Sequence, residues 1–269
     1  MSSSVQRKRI RKSPEARRAE IVDTAAAVAL AEGLECLTLR RIAEELAVRP
    51  GLISHYFPSV EDLVAEAFGT AAGAELEVLL PPGEPGEPGA DGAAGVDGAA
   101  GVDGAAGVAG VDGPAGAEGG ASTPTGRLER FFARTSGGAY DAISRLWINA
   151  RHLSRYRPLL RDRVAEQEAA WRGRLEGVIR EGVERGEFRT EDPYVTAIQI
   201  LVVLDGLGVH ANTEDRDRPE AVTRMAVTTA ERELGLPRGA LTGDAAAEAA
   251  RDAAAEAAGD AAGEAAGDA

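Results

Sequence analysis

The chain of 269 residues has little of what metal and redox chemistry need. Its single cysteine, Cys36, excludes an internal disulfide and a cysteine-built zinc site, and suits a reducing, cytoplasmic compartment. Cys36 falls beside Leu37 at the end of a helical pattern and is expected to be buried filler. The three histidines, His55, His152 and His210, stand far apart without the spacing of a ligand set, so neither metal nor cofactor is expected. There is no nucleophile elbow and no phosphate loop, which leaves no enzyme signature. No window approaches 18 uninterrupted apolar residues, so no membrane span is expected. The polar, basic N-terminus does not read as a signal peptide. Lysine occurs only at positions 8 and 12, so nearly all positive charge is arginine.

The net charge of −14 argues at first against a nucleic-acid partner, but its distribution reverses that. Residues 81–126 carry a net −7 and residues 243–269 a net −6, whereas residues 1–60 carry a net +3. Fields beyond about 10 Å are screened, so the local balance decides. Residues 1–12 form a basic arm expected to be disordered alone and able to lie along phosphates.

Residues 83–121 read as thirteen Gly-X-Y triplets. Only Pro85, Pro88 and Pro114 are imino acids there, far below the roughly 15–20% of collagen. The segment therefore reads as a flexible acidic insert, whose free ends would average roughly 35 Å apart. Residues 239–269, mostly alanine, glycine and acid, repeat like charges every four residues, which disfavours a helix. They are expected to form an acidic tail without its own core.

Everything else is helix by period. Ser13-Pro14 opens the first helix and Gly33 stops it. Ser59 with Asp62 marks another start, expected to run to about Leu80, where Pro81-Pro82 ends it. Helical pattern resumes near Thr125 with Leu128, Phe131 and Phe132. It continues from Ala142 to about Tyr156, and from Leu159 to Arg185 with Trp171 and Val183 on the inward side. The segment after Asp192-Pro193 is apolar nearly all round and is expected to be buried on more than one side. Pro219 to Leu234 is the last helix. The domains are then 13–80 and 127–238, with 81–126 inserted and the fold all-α.

Residues 38–57 organise the chain. Thr38 caps one short helix, with Ile42, Ala43 and Leu46 inward, and Ala47-Val48-Arg49 leaves room only for a tight turn. Pro50 suits the first turn of a second helix, which buries Leu52, Ile53 and Phe57 and turns Gly51, Ser54 and His55 outward, with Tyr56 at the flank. That is a helix-turn-helix with a second helix slim and polar enough for a major groove.

The run Gly51-Leu-Ile-Ser-His-Tyr-Phe57, followed by Pro58-Ser-Val-Glu-Asp-Leu63, resembles the TetR family of bacterial repressors, most of all its BetI-type branch. The resemblance implies an N-terminal three-helix DNA-binding domain joined by a fourth helix to a C-terminal helical domain that binds ligand and builds a homodimer. It implies that Thr38 and Tyr56 hold phosphates while Gly51, Leu52, Ser54 and His55 approach bases. Arg40 and Pro50 lie on the same surface. The family usually has serine or threonine where Arg49 stands and lysine where Val60 stands. Arg49 cannot cap a helix but can reach a phosphate or a guanine.

The partners implied are a palindromic double-stranded operator and a small-molecule effector. Polar-tipped aromatics in the C-terminal half, Trp147, His152, Tyr156, Trp171 and Tyr194, are candidates for an aromatic cage, which suits a quaternary ammonium group. Core packing is the favoured account of each of them. Asp205, inside the apolar helix, is expected to be satisfied by packing or by the dimer. The alternative to a ligand-responsive repressor is a collagen-like trimeric assembly protein with helical end domains.

Overall fold

The computed structural model describes residues 12–83, 123–135, 138–213 and 219–242, and every regular element among them is helical. The Gly-X-Y triplets, the basic arm up to residue 11 and the tail from residue 243 lie outside the described residues. Helix α1 spans Pro14–Glu32, with the Ser13 hydroxyl accepting from the Ala16 N–H and Gly33 at φ 101 turning the chain out of it. A 3-10 turn, Leu34–Cys36, leads to α2 (Leu39–Glu45), capped by the Thr38 hydroxyl at 2.9 Å from Arg41 N. Next come α3 (Pro50–Tyr56) and α4 (Val60–Leu79), the latter capped by Ser59, whose hydroxyl accepts from Glu61 N.

The turn between α2 and α3 explains their fixed angle. Val48 N–H bonds back to Ala43 O and Ala47 N–H to Glu44 O, closing the α2 C-terminus with Ala47 at φ 51. Left-handed backbone costs a non-glycine residue roughly 1–2 kcal/mol. The burial of Ile42, Ile53 and Phe57 on either side offsets it, since each such side chain contributes about 1.5–3 kcal/mol. Leu46 is only half-buried, and so is Leu52. Cys36 is exposed rather than buried, because the 3-10 turn points Leu34, not Cys36, into the core. Lys12, the last residue of the basic arm, pairs with Glu20 of α1 at 2.8 Å.

The second half comprises α5 (Pro124–Arg134), α6 (Gly138–Ser154), α7 (Pro158–Glu184), α8 (Pro193–Thr213), α9 (Glu220–Thr223) and α10 (Met225–Glu233). Helix α6 starts four residues before Ala142, the start expected from the sequence. The expected last helix is broken at Arg224 into α9 and α10. Val183 lies on the surface, while Gly182 beside it is covered by the Phe188 ring, which would clash with any Cβ there. Residues 239–242, grouped with the tail by composition, belong to the domain. Leu241 is buried, and the Glu231 carboxylate accepts from the Gly239 and Leu241 N–H groups.

Helix α8 packs against α7, α6 and α10, yet Val195, Val202 and Val209 are exposed, so it is buried on fewer sides than its composition suggests. Its mean hydropathy of 1.5 is high enough for a membrane span by length and composition, although Thr196, Gln199 and Asp205 interrupt its apolar run. Buried Thr196, bonded to Thr190, and ion-paired Asp205 fit a core helix of a folded domain.

Helix α4 is shared by both halves, packing on α1 and on α7. Its C-terminal end is held by three arginines. Arg134 donates to Val78 O, Arg174 to Leu80 O and Arg127 to Pro81 O. Arg127 is nearly buried and is also paired with Glu181. Since Arg127 stands in the first turn of α5, Pro81 and α5 meet within one hydrogen bond, and the chain between them leaves and returns at one place. Joining residue 83 to residue 123 through a short glycine-serine bridge is therefore expected to leave the melting temperature within about 3 °C of the full chain. A cooperative loss of helical circular dichroism in the deletion variant would contradict this.

Candidate functional site

Two sites emerge from the fold. The first is the outer face of α3. Gly51, Ser54 and His55 are exposed, and a Cβ on Gly51 would meet nothing within 4 Å. The Ser54 hydroxyl donates to Gly51 O at 3.3 Å, and His55 meets the Tyr56 ring edge-on at 5.2 Å. Tyr56 is half-buried against the core, and Pro50 is exposed at the start of the helix. Arg49 precedes it with no side-chain cap bond and no partner among the described residues. Arg40 is exposed and bonded to Glu44. Arg41 is committed inward, bonded to Glu32 of α1 and Glu45, and these carboxylates raise its already high pKa. Thr38 keeps its hydroxyl on the α2 N-terminus.

The second site is a cavity of about 210 Å³ whose lining residues come from α4 to α8. Trp147 and Trp171 line it, with Phe131, Tyr140 and Leu204. His152, Tyr156 and Tyr194 do not. Tyr156 lies beyond the end of α6 with most of its surface exposed, His152 meets its ring edge-on at 6.2 Å, and Tyr194 lies outside under Arg172 at 5.6 Å. Residue type alone could not separate these aromatics, because only the rotation of each helix decides which ring faces inward.

The polar lining was not foreseen. Glu75 of α4, which the sequence reading passed over, accepts a 2.8 Å hydrogen bond from Trp147 Nε1. Burial pushes the Glu75 carboxyl up to about 7, against the opposing pull of the Trp147 N–H. Arg151 donates to Glu168 at 2.9 Å and to Asp205 at 2.8 Å. Asp205 thus finds its partner within the chain, at the cavity wall. Its pKa is raised by burial and restrained by Arg151. Burial lowers the Arg151 pKa, but Asp205 and Glu168 outweigh it and hold the group charged. The Tyr140 hydroxyl is pushed up by burial and by Glu75 and Asp205. Glu75 has no ion pair among the described residues, because the guanidinium that acts on it is committed elsewhere. The lining thus holds three acids, Glu75, Glu168 and Asp205, against two arginines, Arg151 and Arg172, and Glu75 is the acid left without an ion pair among the described residues.

The comparisons agree with both halves. Residues 21–67 match the family described as bacterial regulatory proteins, tetR family. Residues 127–235 match the C-terminal domain of BetI-type transcriptional repressors. Comparison with curated proteins returns no match. Among solved structures, a TetR-family regulator from Rhodococcus sp. superposes with TM-score 0.58 at 18% identity, covering 81% of this chain and 98% of that one. A regulator from Saccharomonospora viridis in complex with choline gives TM-score 0.56 at 20% identity, over 81% and 97%. The multidrug binding protein EbrR complexed with proflavin gives 0.50 at 22% identity, over 80% and 99%. With an exposed second helix on a tight turn, a shared fourth helix and a ligand-sized cavity behind it, the chain belongs to the TetR family of bacterial transcriptional regulators and carries a BetI-type regulatory domain.

Proposed function

We propose that this protein is a repressor that holds a palindromic operator as a homodimer and releases it when a small organic cation fills the cavity. The observation that carries the reading is Glu75, a half-buried carboxylate without a cationic partner among the described residues, set among Phe131, Tyr140, Trp147 and Trp171. Aromatic faces and an unpaired carboxylate together attract a cation, while Arg151 at the same wall is already engaged by Glu168 and Asp205. At about 210 Å³ the cavity is below the usual range of about 300–1,000 Å³ for drug-sized ligands, which favours a metabolite. The similar structures with choline and with proflavin bind cations of this general kind.

The chain's two tryptophans both line the cavity, so intrinsic fluorescence reports on it alone. Titration with choline and tetramethylammonium is expected to change the emission saturably, while the neutral isostere 3,3-dimethylbutanol binds at least about tenfold more weakly. Equal response to the neutral compound removes the cation from the reading. No response to any compound removes the cavity.

On the DNA side, each protomer presents α3 to one half-site, and Gly51, Leu52, Ser54 and His55 approach base edges while Thr38, Tyr56 and Arg40 meet the backbone. Arg49, free of partners among the described residues, reaches a phosphate or a guanine. His55→Ala is expected to reduce discrimination between operator and scrambled duplex by about 1–3 kcal/mol. Tyr56→Phe should weaken both alike. Binding isotherms at several salt concentrations test this, and an unchanged specificity ratio in His55→Ala assigns the face wrongly.

A further inference from the structure

Helix α6 works on two sides. Trp147 and Arg151 line the cavity, and Asn149 lies between them in sequence, roughly 200° around the helix from Trp147. Asn149 Oδ1 accepts from the Leu34 N–H at 3.2 Å, and its Nδ2 donates to Glu35 Oε1 at 2.7 Å. These are the first two residues of the 3-10 turn between α1 and α2, which ends shortly before Thr38 caps α2. The regulatory half thus reaches the DNA-reading helices by two routes: through α4, and through this clasp.

Three features make the clasp responsive. The Leu34 bond stands at the long end of the normal range, so a shift of about 0.5 Å breaks it. A crevice of about 200 Å³ lies beside it, lined by Gly33, Glu35, Arg145, Leu146 and Asn149, which gives the turn room to move. Trp147, two residues away, is tied by its indole N–H to Glu75 of α4, so a ligand that displaces the ring disturbs α6.

We propose that Asn149 is the positioning residue through which the state of the cavity sets the placement of α2 and α3. The inference rests on the reading of the cavity as the effector site. A filled cavity shifts α6, the clasp opens, and the turn before α2 loses the contact that fixes its orientation.

The test uses no ligand. Operator binding is measured, with DNA selected from a random pool, for the full-length wild type, Trp147→Phe, Asn149→Ala and the double variant. Trp147→Phe keeps a ring in the cavity but cuts the tie to Glu75. It is expected to change operator affinity by roughly tenfold in the wild-type background and by less than about twofold when Asn149→Ala is present. Asn149→Asp combined with Glu35→Gln keeps an acceptor for the Leu34 N–H and restores the bond to residue 35 with donor and acceptor exchanged, and should restore the tenfold response. Additive effects, no response to Trp147→Phe, or an exchanged pair that behaves like Asn149→Ala each overturn the proposal. Hydrogen exchange at the Leu34 amide, faster in Asn149→Ala and normal in the exchanged pair, separates loss of the clasp from general unfolding. Should the cations fail to bind, the effector reading falls on the fluorescence result while this cycle is decided on its own.

Discussion

Glu75→Gln is expected to make the protein more stable at pH 8 and at the same time blind to cations. The folded protein holds the Glu75 proton up to about pH 7, whereas an unfolded chain releases it near 4.5. The folded state therefore binds more protons between these values, and stability falls as pH rises through that window. Below about pH 4.5 there is no penalty, and above about pH 7 it is complete. The shift corresponds to about 3 kcal/mol at pH 8, which the amide does not incur. Its Oε1 can still accept from Trp147 Nε1, so the joint between α4 and α6 is kept. Thermal melts should converge at pH 4.5 and separate progressively toward pH 8, with the variant higher. Identical melting temperatures at pH 8 would show that Glu75 is not buried as an ion. In the wild type, affinity for tetramethylammonium should rise between pH 6 and pH 8 as Glu75 ionises, while Asp205 stays tied to Arg151. In the variant that slope should vanish and affinity should fall at least about tenfold.

The second large effect concerns assembly. Val195, Val202 and Val209 recur every seven residues on α8 and are exposed, as is Met225 on the adjacent α10. A repeating apolar strip on a core helix is a helix–helix seam without its partner, and a second copy supplies the same strip across a two-fold axis. Val202 also borders the cavity, so the informative change is Val195→Asp with Val209→Asp. Sedimentation should then give the mass of one chain instead of two. Operator affinity should fall by about a hundredfold or more, because each recognition helix must find its half-site alone. A trimer in the wild type would instead favour the collagen-like reading of the triplets. A double variant that remains a dimer would place the seam elsewhere.

How much of this was legible in the sequence follows the range of the forces involved. The starts at Ser13, Thr38 and Ser59 and the stop at Gly33 are decided by neighbours within one turn, and local pattern placed them. The 3-10 turn at Leu34–Cys36 was not visible, because two residues' difference in helix end decides whether Leu34 or Cys36 faces inward. The break at Arg224 lacked a proline or glycine to announce it. Asp205 was noticed as an acid in an apolar helix, but its partner Arg151 stands 54 positions away and on another helix. Glu75 carried no signal at all: on α4 it reads as one more surface acid, and only the packing of α6 across it makes it a half-buried one. The lining of the cavity is thus a tertiary fact, whereas the outer face of α3 was already written in its local period.

The three arginines at the end of α4 have a mechanical consequence. A helix of 20 residues is about 30 Å long, and here one end is built in like the root of a beam while the other carries the DNA-reading helices. Glu75 stands on that beam about 6 Å from the root, so a displacement applied there would be magnified about fivefold at Val60 if the helix turned as a rigid body. One ångström of adjustment around a ligand becomes about 5 Å at the free end of each protomer. Against half-sites spaced about 34–36 Å on the duplex, an error of that size in both arms is enough to lose register. A gearing ratio set by where Glu75 sits along α4 would allow so small a cavity to govern so large a contact.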